Sequence, residues 1–73
     1  MKLLLYGTLS CHLCEQAEAV LHAAGVTAEY TDIAEDEALL EKYGMRIPVV
    51  RRVDNGTELG WPFDIAALGH LTA

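Results

Sequence analysis

A chain of 73 residues, 52% hydrophobic and 22% charged, has material for one core, which excludes both a disordered polypeptide and a multidomain one. A net charge of −6, from eleven acids against five bases, repels phosphate backbones and anionic lipid, so neither nucleic acid nor a membrane surface is an expected partner. With no run long enough to span a bilayer, no cleavage site after an apolar stretch and only two cysteines, the expectation is a soluble, monomeric, cytoplasmic protein, mature as written.

Met1 to Tyr6 is a nearly continuous apolar run closed by Gly7-Thr8, the pattern of a strand covered on both faces and central in its sheet. From Ser10, an expected N-cap, Leu13, Ala17, Val20, Leu21 and Ala24 recur at helical spacing, Glu15, Glu18 and His22 take another side, and Gly25 is the expected C′ stop. Val26 to Ile33 reads as a second strand. The stretch DIAEDEALLEKYG reads as a second helix with acids in its first turn, Lys42 in its last and Gly44 beyond it.

Ile47 to Val53 is a strand entered through Pro48, and Asp54-Asn55-Gly56 turns it into a hairpin partner at Thr57 to Leu59. Pro62 suits the first turn of a last helix, with Ile65, Leu68 and Leu71 as its inward stripe. The order is β-α-β-α-β-β-α. This predicts an α/β domain with three helices and a mixed four-stranded sheet, one parallel pair and an antiparallel hairpin edge.

Cys11-His12-Leu13-Cys14 puts both cysteines at the head of the first helix. Orphan N–H groups and the positive end of the helix dipole favour thiolate there, most strongly at Cys11, while Cys14 lies a turn deeper and within resolving reach. Protonated His12 adds to the effect, whereas Glu15 and Glu18 oppose it. A CxxC that follows a strand and opens a helix favours redox chemistry. Two other readings stand beside it. A closed zinc site needs four ligands, and His12, His22 and His70 offer no second paired motif, so no metal is expected; two inert buried thiols suit Cys14 better than Cys11.

Three landmarks in order, Leu4-Leu5-Tyr6-Gly7-Thr8 before the CxxC, Arg46-Ile47-Pro48-Val49, and Gly60 to Asp64, resemble the small glutaredoxin-like proteins of the thioredoxin fold over essentially the whole chain. The resemblance implies a thioredoxin-like (glutaredoxin) fold and a thiol-disulfide oxidoreductase acting through Cys11 and Cys14 on protein disulfides or on glutathione mixed disulfides. It implies a cis Ile47-Pro48 bond beside the dithiol, with the N–H and C=O of Ile47 free to pair with an extended substrate. It also implies glutathione as co-substrate, its γ-glutamyl end at the start of the last helix near Asp64.

Thr8 stands where many glutaredoxins carry a lysine, which passes the role of basic anchor to Arg46, with Lys42 a weaker candidate. Phe63 stands where a small polar residue is usual. Trp61 and Phe63, flanking Pro62, are candidates for an apolar substrate rim as well as for the core. Two alternatives remain open: a thioredoxin-like protein reductase that does not use glutathione, and a non-catalytic metal-binding or interaction module on the same fold.

Overall fold

The apolar opening run builds the centre of a sheet. In the computed structural model, which describes residues 2–9 and 11–73, Leu3–Gly7 form strand β1, with a partner on each edge. Strand β2 (Glu29–Asp32) runs parallel to it, with Leu5 opposite Tyr30 and Gly7 opposite Asp32. Strand β3 (Val49–Arg52) runs antiparallel, with Leu5 opposite Val50 and Tyr6 opposite Val49. Strand β4 (Glu58–Gly60) completes the order β2-β1-β3-β4 as an antiparallel edge. Three α-helices, α1 (His12–Ala23), α2 (Glu37–Tyr43) and α3 (Ile65–Leu71), complete the α/β fold among the described residues.

Alternation along β1 divides the core in two. Leu3 and Leu5 join Val50, Ala17 and Leu21 of α1, and Leu68 and Leu71 of α3; Tyr6 turns the other way, to Val49, Ile33 and Tyr43 at the end of α2. The helices therefore cover both faces of the sheet, α1 and α3 one of them and α2 the other. The same alternation continues down β3. Arg52, on the Val50 side, reaches the carbonyl of Leu71 at 3.0 Å at the end of α3.

Helix ends account for most departures from expectation. The expected Ser10 cap lies outside the described residues; Cys11 is itself the N-cap of α1, outside the first helical turn. At the other end Gly25, at φ +69°, closes a Schellman motif, its N–H donating to the His22 carbonyl at 3.1 Å and that of Val26 to Leu21 at 3.0 Å. The buried stripe of α1 is Cys14, Ala17 and Leu21, and Leu13, expected inward, stands 44% exposed.

The run expected as one second helix is split because two aspartates cap it separately. Asp32 accepts from the N–H of Ala34 and starts a 3₁₀ turn over Ile33–Glu35, and Asp36 accepts from Ala38 and Leu39 to start α2. Pro62 is not in the first turn of the last helix. Its bond to Trp61 is cis, and Asp64 caps α3 by accepting from Ala67 at 2.8 Å, so the helix begins at Ile65. Leu68 and Leu71 face inward, but Ile65 is 54% exposed.

Candidate active site

The loop after β1 delivers Cys11 to the mouth of α1. There the Cys11 backbone is extended, its sulfur accepts the N–H of Cys14 at 3.2 Å, and the two cysteines are joined in a disulfide with Cα atoms 5.1 Å apart. Cys11 is half-buried and Cys14 is 3% exposed, so an incoming group meets Cys11 first. Gly7 makes room for the pair: a Cβ on it would lie 2.9 Å from the Cys14 sulfur and 3.3 Å from the Tyr30 ring.

Strand register brings the proline turn to the same end of the sheet. With Tyr6 opposite Val49, Pro48 lies across from Gly7, one step beyond the last paired residues, where neighbouring strands run about 4.8 Å apart. The Ile47–Pro48 bond is cis, and the Pro48 carbonyl accepts the N–H of Trp61 at 3.0 Å, which ties the turn to the segment after β4. One expectation fails here. The Ile47 N–H donates to the Tyr43 carbonyl at 3.1 Å, finishing the α2 turn, and is not free to pair with a substrate strand.

The other candidates are placed as follows. Arg46 binds Glu58 on β4 at 3.1 Å with its guanidinium over the Tyr43 ring, 5.3 Å from the centroid, so its charge is already partnered. Lys42 lies over the same ring at 5.2 Å. Asp64 spends one carboxylate oxygen on its own helix. Trp61 is half-buried, edge-on to Phe63 at 5.1 Å between ring centroids, and Phe63 is 7% exposed, in the core and not on a rim. Among the described residues, no three His, Cys, Asp or Glu side chains converge as a metal-holding group.

On the far side of the dithiol from the proline turn, α1 and β2 enclose a cleft of about 390 Å³ lined by Thr8, Leu9, Cys11, Cys14, Glu15, Glu18 and Tyr30. Sequence reasoning missed this wall. Tyr30 looked like any strand aromatic, but its pairing with Leu5 turns it to the α1 side, and Glu15 and Glu18 project from α1 toward the same space. Burial, with Asp32 and Glu18 nearby, pushes the Tyr30 hydroxyl above its ordinary range. A second unforeseen group is Tyr43, 2% exposed, stacked on Tyr6 and hydrogen-bonded to Glu58. Burial first, then that bond, pushes Tyr43 up to about 12.

Comparison with known proteins adds three findings. A family model described as Glutaredoxin-like domain (DUF836) matches residues 2–71. The X-ray structure of the structural-genomics target protein XcR50 from X. campestris is 41% identical, covering 96% of this chain and 93% of that one at a TM-score of 0.87. The solution structure of protein Ne2328 from Nitrosomonas europaea is 32% identical, covering 96% of this chain and 88% of that one at 0.82. No curated protein matches.

Proposed function

This chain belongs to the family described as Glutaredoxin-like domain (DUF836), and from that premise we propose that it is a thiol-disulfide oxidoreductase with Cys11 as nucleophile and Cys14 as resolving cysteine. The observation that carries this reading is the disulfide itself, at a helix N-terminus, with one sulfur accessible and the other packed beneath it. In the reduced protein the Cys14 N–H and the α1 dipole favour the Cys11 thiolate. That thiolate attacks one sulfur of a substrate disulfide, forming a Cys11 mixed disulfide and releasing the first substrate thiolate, which takes up a proton. Cys14 then gives up its proton and, as thiolate, attacks the Cys11 sulfur; the second substrate sulfur leaves as thiolate and takes up a proton. The substrate gains two electrons and the dithiol becomes the disulfide. A thiol donor reverses the cycle.

The substrate disulfides are those of proteins or glutathione mixed disulfides, handled by a monomer in a reducing cytoplasm, with the turn at Ile47, Pro48 and Trp61 beside the dithiol as substrate rest. Of the Ile47 backbone, only the carbonyl is left to meet the substrate. A second reading, a protein disulfide reductase that does not use glutathione, is favoured by the pairing of Arg46 with Glu58, which occupies the expected carboxylate anchor.

The test is intact mass of Cys14→Ser and Cys11→Ser after brief exposure to uncharged 2-hydroxyethyl disulfide at neutral pH. Rapid single addition to Cys14→Ser and little to Cys11→Ser is expected; equal slow addition to both would remove the assignment of the nucleophile. Repeating the exposure with glutathione disulfide separates the two readings.

A further inference from the structure

We propose that the dithiol selects disulfides flanked by positive charge. This deepens, and rests on, the oxidoreductase reading. The cleft that meets both cysteines has Glu15 and Glu18 on its α1 wall and no basic residue among its described lining. Both glutamates are exposed, and Leu9, 76% exposed, and Tyr30, 37% exposed, give the cleft an apolar wall. A cleft of one sign with low-dielectric walls concentrates ions of the other sign and raises their encounter rate.

The nearby cations do not reverse that field. His12 lies 3.9 Å from Glu15 and is positive only when protonated, and Arg46 is neutralised by Glu58. Asp32, opposite Gly7 at the end of β2, adds a further negative charge near Tyr30, where it and Glu18 both bear on the phenol. A polypeptide disulfide with lysine or arginine beside its cysteine fits these surroundings. An anionic one, such as glutathione disulfide, approaches against them.

The experiment uses the reduced protein in single turnover at pH 8, with cystamine, a dication, and 3,3′-dithiodipropionate, a dianion. Each rate is divided by that of dithiothreitol with the same disulfide, which removes differences in intrinsic reactivity. A normalised preference for cystamine of about tenfold is expected at low salt, shrinking toward unity in ~0.5 M salt and in the Glu15→Gln/Glu18→Gln variant. Because both rates come from the same protein, the ratio is insensitive to any change in thiolate fraction that the variant brings. Equal normalised rates, or a preference that survives in the variant, would overturn the proposal and leave the oxidoreductase reading standing. No Cys11-dependent reaction with either disulfide would overturn that reading itself.

Discussion

At Gly7 the constraint is space. Its backbone is ordinary strand, yet a methyl group would press on the Cys14 sulfur at 2.9 Å, and that sulfur is held by its bond to Cys11. Gly7→Ala is expected to lower stability by about 1–3 kcal/mol, as overpacking does. The loss should be smaller after reduction, when the Cys14 side chain is free to rotate, so thermal melts with and without reductant decide the point. Equal losses in both states would place the strain on the Cys14 Cβ and the Tyr30 ring instead, each 3.3 Å from the added methyl group. If the oxidised form suffers more, the variant is also the easier one to reduce.

Glu58 is the second residue whose role is local and testable. It accepts from the buried Tyr43 hydroxyl and from Arg46, and the Tyr43 bond, more than Arg46, holds its carboxyl below the ordinary range. A lowered carboxyl contributes stability above its ordinary value near 4.5 and loses it as the pH falls below that. A raised phenol contributes below its ordinary 10 and loses it as the pH climbs toward about 12. Glu58→Gln keeps an acceptor but removes the charge, at about 1 kcal/mol near neutrality. Urea midpoints across pH should show wild type and variant apart in the middle of the range and converging at both ends; a constant offset would mean that the amide disturbs packing instead.

Among the elements, α1 shows what a sequence can and cannot announce. Gly25 was legible because a left-handed residue after a helical stripe has few alternatives, and nothing lies within 4 Å of the place its Cβ would take. Gly25→Ala thus isolates the backbone term. It should cost about 1–2 kcal/mol and lower the melting temperature several degrees, with no change in the reactivity of Cys11 at the opposite end. A silent substitution would mean that the Schellman turn is not required for the exit toward β2.

The start of the same helix was less legible. Periodicity counted Leu13 as core because it is apolar, whereas the phase of the helix is set by Cys14, Ala17 and Leu21, which leaves Leu13 on the rim between the cysteines. In α3 the aspartate outranked the proline. Asp64 caps, Pro62 stays in the preceding loop, and Ile65, now the first helical residue, overhangs a shallow groove against Ala19, Val20 and Ala23 of α1. Element order and hairpin were readable from punctuation. The acidic cleft was not, because it needs the β1 and β2 register to bring Tyr30 round to Glu18, and register is absent from a linear pattern.

For the molecule as a whole, charge is the term that distance arithmetic can settle. Lys2–Glu29, Arg46–Glu58 and Arg52–Asp54 pair at 3.3, 3.1 and 2.7 Å, tying up three of the five bases and leaving acids in the majority over a body of 31 × 26 × 17 Å. Screening reaches ~30 Å at 0.01 M salt, the full width of the protein, and ~8 Å at 0.15 M. Raising salt therefore removes repulsion across the molecule while hardly weakening contacts near 3 Å, which at exposed sites contribute only about 0–1 kcal/mol each. The melting temperature should rise by about 2–5 °C between those two salt concentrations, given that ~1 kcal/mol shifts a domain of this size by 4–8 °C. A fall would mean that the three ion pairs outweigh the net charge, and Arg52→Gln, which removes the Asp54 pair and leaves the other two, would then reduce the salt response without abolishing it.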